Sequence, residues 1–213
     1  MKVEIWSDVA CPFCFIGKRS FEDALERFEH RDDVEVTWRS FQLDPSAPPS
    51  SDHGLDELLA RKYGRTIEQA RQMNDQVTQM AAGVGLEYHL DRARPGNTFD
   101  AHRLIHLGRA HGIADAVKER LLRAYFTEGE LLSDHETLVR LGAEAGLDAD
   151  EARDALASDR FAAAVREELV EAHDLGLQGV PAFVFDRRSQ VTGAQPADLF
   201  LQALERAWAT SAA

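Results

Sequence analysis

Both cysteines of this 213-residue chain fall in one short stretch, Ser7-Asp8-Val9-Ala10-Cys11-Pro12-Phe13-Cys14, where a strand-like run gives way to a helix-like one. Upstream, Val3, Ile5 and Ser7 alternate with Lys2, Glu4 and Trp6, the period-two pattern of a strand whose faces see different surroundings. Downstream, Phe21, Ala24, Leu25 and Phe28 recur at helical spacing. Pro12 suits the first helical turn, where its missing N–H has no partner to lose. The order is therefore strand, cysteine, helix.

A thiol at a helix N-terminus faces unpaired backbone N–H groups and the positive end of the macrodipole, which stabilise the thiolate that attacks disulfides. Each unit by which its pKa falls is worth about 1.36 kcal/mol in favour of the anion. Cys11 is the better placed for this. Cys14, one turn further in, is close enough to close a small ring with it, so the pair can cycle between dithiol and disulfide. A zinc half-site is the first competing reading, but there is no second cysteine pair and none of the eight histidines follows at finger spacing. A merely buried pair of small apolar residues is the second, and it explains neither the proline nor the strand-to-helix position.

Charge narrows the partners. The 24 Lys and Arg residues are outnumbered by 37 Asp and Glu, for a net charge of −13. That argues against nucleic-acid and anionic-membrane surfaces, which attract basic patches. Met1-Lys2-Val3-Glu4-Ile5-Trp6 enters the first strand without an apolar leader, and no run approaches the roughly 18 apolar residues of a membrane span. The expected setting is the cytoplasm, where a lone cysteine pair is more often catalytic than structural.

Further along, Val34, Val36 and Trp38 alternate with Glu35, Thr37 and Arg39, a second strand predicted to lie parallel to the first. The proline- and serine-rich stretch from Asp44 to Ser51 closes this segment. From Leu55 to about residue 160 no convincing strand occurs. Ala70, Met73, Val77, Met80, Ala81 and Val84 predict a helix over Thr66 to Val84. Others are predicted from Asn97-Thr98 to Gly112, and over Ile113–Thr127, Ser133–Ala145 and Asp148–Leu156. Phe161, Val165, Leu169 and Ala172 mark another helix, followed by a hairpin of Ala182–Phe185 and Gln190–Thr192 and a last helix opened by Pro196. The expected fold class is α/β, a thioredoxin-like fold with an inserted all-helical domain. Its expected parts are residues 1–45, a helical insertion over 46–158, and the remainder over 159–213.

Several linked motifs carry a resemblance. The run Ser7 to Cys14 continuing Phe15-Ile16-Gly17-Lys18, with Trp38-Arg39-Ser40-Phe41-Gln42-Leu43, Asn97-Thr98-Phe99-Asp100-Ala101-His102-Arg103, Gly179-Val180-Pro181 and Gly193-Ala194-Gln195-Pro196, resembles the FrnE-like branch of the DsbA family across nearly the whole chain. The resemblance implies thiol–disulfide oxidoreductase activity, with Cys11 as nucleophile and Cys14 as resolving thiol. By it, Pro181 matches a cis-proline lying beside the cysteines, and the backbone of Val180 would pair with an extended substrate or a glutathione strand. Its substrates would be protein or small-molecule disulfides, with glutathione as a candidate co-substrate and no cofactor beyond the redox-active disulfide. No oligomeric state is specified.

Two departures bear on this. DsbA itself has a histidine where this chain has Phe13, so one source of thiolate stabilisation is missing and a less strongly oxidising couple is expected. Some relatives also carry a second cysteine pair, which this chain lacks. The same superfamily includes kappa-class glutathione transferases and 2-hydroxychromene-2-carboxylate isomerases, so glutathione-dependent isomerisation or conjugation of an aromatic small molecule is the alternative. A non-catalytic partner-binding protein is a third reading.

Other candidates are residue-specific. Pro12 and Phe13 are expected at the substrate-facing rim, with Phe13 more exposed than Phe15. His102 lies in a motif expected to face a cleft and, like Asn97, is a substrate-binding candidate; with His106 it forms a four-residue spacing that metal ligands also use, though no metal is expected. Asp8 either relays a proton or serves as a turn residue. Gln195 either caps the last helix or hydrogen-bonds a γ-glutamyl group.

Overall fold

A computed structural model describes residues 1–211. In chain order its elements are β1 (Lys2–Ser7), α1 (Pro12–Arg27), β2 (Glu35–Ser40), the helices α2 (Leu55–Tyr63), α3 (Ile67–Ala82), α4 (Phe99–Ala110), α5 (Ala114–Arg123), α6 (His135–Glu144) and α7 (Ala149–Ala157), then α8 (Ala162–Asp174), β3 (Ala182–Phe185), β4 (Ser189–Thr192) and α9 (Ala197–Ser211). They form two units: Met1–Leu43 with the chain from Glu168 onward, and Asp44–Glu167.

The first unit holds a sheet of order β2-β1-β3-β4. β1 runs parallel to β2, pairing Ile5 with Trp38, and antiparallel to β3, pairing Ile5 with Phe183. Alternation along β1 predicts two unlike faces, yet Glu4 and Trp6 are buried along with Val3 and Ile5. Both faces are covered. On one, Phe183 meets Phe21 of α1 at 5.3 Å and Phe200 of α9 at 4.4 Å between ring centroids. Burying each such ring contributes about 1.5–3 kcal/mol. On the other, Trp6 packs with Ala172, Leu177, Ala182 and Val184, and its indole N–H donates to the Glu168 carbonyl at 3.4 Å.

Charges close that second face. The Glu4 carboxylate accepts from Arg39 and from Arg187 at 2.7 Å, while Glu168 accepts from Arg39 at 2.9 Å and from the Ser40 N–H at 2.6 Å. Burial alone would raise the Glu4 pKa, but the two guanidinium groups outweigh it and hold the carboxyl below its ordinary value of 4.5. A carboxylate depressed in this way stabilises the fold above its unfolded-state pKa and loses that contribution as pH falls through the folded one. Glu4→Gln is therefore expected to lower stability at neutral pH and to flatten its further decline below pH 4.5. Urea midpoints measured at stepped pH check this; a parallel acid limb in the variant would contradict it.

The second unit is helical, in keeping with the absence of predicted strands. Thr66 caps α3 through a reciprocal pair of 3.1 Å bonds with Gln69. Two local features depart from the sequence reading. α2 is an unpredicted helix, with Asp56 and Glu57 in its first turn, Arg61 and Lys62 in its last, and Gly64 at φ 62° after it. Phe161, predicted as the start of α8, instead takes a left-handed φ of 64° one residue before the helix. Next to it, the buried Arg103 side chain donates to the carbonyls of Ala155, Leu156 (3.4 Å), Ser158 and Arg160 (3.0 Å), and to Asp100 at 2.7 Å. These are carbonyls at and beyond the end of α7, which the helix itself leaves without donors.

Candidate active site

The chain leaves β1, turns at Asp8 and enters α1 with Cys11 as the N-cap residue and Pro12 at the first helical position. The Cys11 backbone is extended, φ −93° and ψ 112°, and the Cys14 N–H returns to its carbonyl at 3.0 Å. Both cysteines are free and nearly enclosed, at 3% and 1% exposure. The Cys11 thiol donates to the Val180 carbonyl at 3.4 Å, and the Val180–Pro181 bond is cis. Thus one sulfur, its partner one turn along and the bend before Pro181 share a site within the first unit.

Asp8 ties this corner together from inside. Its carboxylate accepts from the Ala10 N–H at 3.5 Å and from the Leu43 N–H at 2.8 Å, joining the turn after β1 to the segment that follows β2. The electrostatics differ from the expectation for a helix N-terminus. Hydrogen bonding with the Cys14 thiol pushes the Cys11 thiol well above the ordinary value of 9.0, and burial, the charge of Cys14 and the Asp8 carboxylate act in the same direction. The Cys14 N–H does lower it, as the helix end should, but is outweighed.

The rim is apolar. Phe13 is 38% exposed and Leu43 40% exposed, whereas Phe15 is buried. One residue that periodicity does not single out proves to be placed by the site: Gly17. A Cβ there would stand 3.0 Å from Cγ of Pro181 and 3.5 Å from Cα of Ala194. A side chain there would have to push the Pro181 ring back by a few tenths of an ångström, and a glycine inside an otherwise regular helix is the signal that marks this close approach.

Of the remaining candidates, Gln195 lies in this unit and returns its amide to the Thr192 carbonyl at 2.9 Å. Asn97 lies in the helical unit, where its amide donates to the carbonyls of Pro45 (3.3 Å) and Ala47 (3.0 Å) and its oxygen accepts from the Phe99 N–H at 2.9 Å. It clasps the proline-rich segment to the start of α4. His102 and His106 are both buried on α4, with His106 stacked 6.1 Å from Phe161. Among the described residues no three His, Cys, Asp or Glu side chains converge as a metal-ion set, and no helix is long and apolar enough to cross a membrane.

Comparison with known proteins bears on the family and the fold. The DSBA-like thioredoxin domain matches residues 2–205. YwbO, an uncharacterized protein of Bacillus subtilis (strain 168), is 28% identical over 204 residues, covering 95% of this chain and 94% of its own. The crystal structure of the probable DsbA oxidoreductase SCO1869 from Streptomyces coelicolor has a TM-score of 0.94 at 45% identity, over 98% of this chain and 90% of that one. The cytosolic disulfide reductase DsbM from Pseudomonas aeruginosa, solved with GSH, shares the fold at a TM-score of 0.67 and 19% identity, over 97% and 98%. With a mixed four-stranded sheet, a helical insertion and a match over most of its length, the chain belongs to the DSBA-like thioredoxin domain family.

Proposed function

We propose that the protein is a cytoplasmic thiol–disulfide oxidoreductase in which Cys11 is the nucleophile and Cys14 the resolving thiol. The observation that carries this reading is the Cys11 sulfur at the mouth of α1, 3.4 Å from the Val180 carbonyl and one turn from Cys14. Deprotonated Cys11 attacks one sulfur of a substrate disulfide, and the other sulfur leaves as a thiolate that takes up a proton. Cys14 then loses its proton and attacks the Cys11 sulfur, closing the Cys11–Cys14 disulfide and releasing the second substrate thiol. Two electrons pass from the dithiol to the substrate, and two molecules of a small thiol such as glutathione regenerate the dithiol by the reverse exchange, leaving as their own disulfide.

In this reading Pro12, Phe13, Val180 and Pro181 contact the substrate. An extended segment lying along Val180 gains main-chain hydrogen bonds, while Phe13 supplies apolar contact. Gln195 is the residue of this unit suited to a γ-glutamyl group. Asn97 and His102 belong to the helical unit, and the clasp made by Asn97 accounts for its side chain there without a ligand.

A Cys14→Ser variant should accumulate a mixed disulfide at Cys11 when given glutathione disulfide, seen as one dithiothreitol-releasable glutathionyl mass increment. Absence of any such adduct, with the fold intact, would refute the assignment. Retained glutathione-dependent conversion of an aromatic substrate by the Cys11→Ser, Cys14→Ser double variant would instead support isomerisation or conjugation.

Gly17→Ala offers a second test. Alanine should gain about 1 kcal/mol of helix propensity over glycine, offset by crowding against the Pro181 ring. Stability should thus change little, while a displaced Val180–Pro181 bend slows exchange by about tenfold. Unchanged kinetics would mean that the bend need not be held so closely.

A further inference from the structure

Helix α3 keeps its charges to one side. Glu68, Arg71 and Asp75 share one sector, Ala70 and Ala81 are buried, and the remaining flank of Gln69, Gln72, Met73, Gln76 and Met80 carries no charge over three turns. Tyr63 and Arg65 wall a groove of about 350 Å³ along part of this flank. Its apolar groups are open to solvent, with Tyr63 53%, Met73 37% and Met80 49% exposed. In a chain where 29% of residues are charged, a charge-free stripe with methionine and tyrosine has the composition of an interface core. Methionine in particular adapts its shape to what it meets.

We propose that this flank, with α2 beside it, is where two copies of the chain associate about a two-fold axis. Three features select a second copy as the occupant. First, residues 55–84 hold four acids (Asp56, Glu57, Glu68, Asp75) and four bases (Arg61, Lys62, Arg65, Arg71), whereas the whole chain is at −13. Two such acidic chains meet here with less repulsion than their net charge implies. Second, α2 is polarised, acidic in its first turn and basic in its last. Antiparallel copies set the exposed Arg61 and Lys62 of each against Glu57 of the other, Asp56 being held within its own chain by Arg71 and Asn74, so the attraction occurs twice in an isologous contact. Third, the amides of Gln72 and Gln76 make no hydrogen bond among the described residues. An amide carries both donor and acceptor, which makes such a pair its own complement across a two-fold.

Sedimentation velocity of the full chain between about 1 and about 100 μM should show a reversible dimer. Met73→Glu combined with Met80→Glu places charge in the stripe at exposed positions, and should raise the dimer dissociation constant by about 100-fold with the circular dichroism unchanged. Arg61→Glu with Lys62→Glu is an independent arm on exposed residues outside the stripe, and should weaken the dimer in the same direction. A wild-type chain that stays monomeric throughout, or a dimer indifferent to both pairs of substitutions, would overturn the proposal.

Discussion

Cys11→Ser is expected to lower disulfide exchange, read as insulin reduction, by at least about 1,000-fold. A serine hydroxyl is too weak an acid to supply an anion in the same place, and the cysteine that remains, Cys14, is 1% exposed and already inside the first turn of α1. The wild-type rate should carry a particular pH signature. Because Cys14, burial and Asp8 hold the Cys11 thiol above its ordinary value, the reactive anion is a minor species at neutral pH. The rate should therefore climb by about tenfold per pH unit and not level off below pH 9. Asp8→Asn removes one of the charges that raise the thiol, so its rate should level off at lower pH. Stopped-flow alkylation of Cys11 across pH checks both; a plateau near neutrality in the wild type would show a thiol lowered by its helix.

The second large effect concerns stability. Arg103→Met keeps much of the volume and removes every donor, leaving four backbone carbonyls around the end of α7 and the Asp100 carboxylate without their common partner. Removing one side of a buried charged network costs about 3–5 kcal/mol. At roughly 2–4 °C per kcal/mol for a chain of this size, the thermal midpoint should fall by about 10 °C. Arg103→Lys should recover little, because a single ammonium cannot span acceptors that a planar fork reaches together. A loss under about 1 kcal/mol in Arg103→Met would mean that water satisfies these carbonyls equally well.

Much of the architecture can be read from local periodicity, and the exceptions share a cause. β1 reads as a strand from its alternation, but Glu4 is buried only because Arg39 and Arg187, distant in sequence, converge on it. Residues that pair across 35 and 183 positions leave no periodic trace. Phe161 fits the apolar spacing of α8, yet its left-handed backbone places it outside the helix, beside carbonyls that Arg103 holds. α2 does have a sequence signal, acids first, bases last and Gly64 after them, which the preceding proline-rich stretch obscures. At the site, the order strand, Cys11, Pro12, helix is evident from residues 2–28 alone. The nearness of Val180 is not: the thiol and its acceptor are separated by 169 positions, and only the resemblance brings them together before the coordinates do. The acidity of Cys11 is the clearest failure of local reasoning, since a helix end is visible in sequence whereas burial beside a second thiol is not.

The place of β1 in the sheet bears on how a visiting molecule is accommodated. It has bonded neighbours on both edges and packed layers above and below, so the sulfur that follows it hangs from a support with no room to slide. The opposite bank is different: residues 178–180 donate no backbone hydrogen bond among those described, and Gly179 sits among them. The main-chain donors left open to a visiting segment are therefore on that bank, while the sulfur is carried by the tied one.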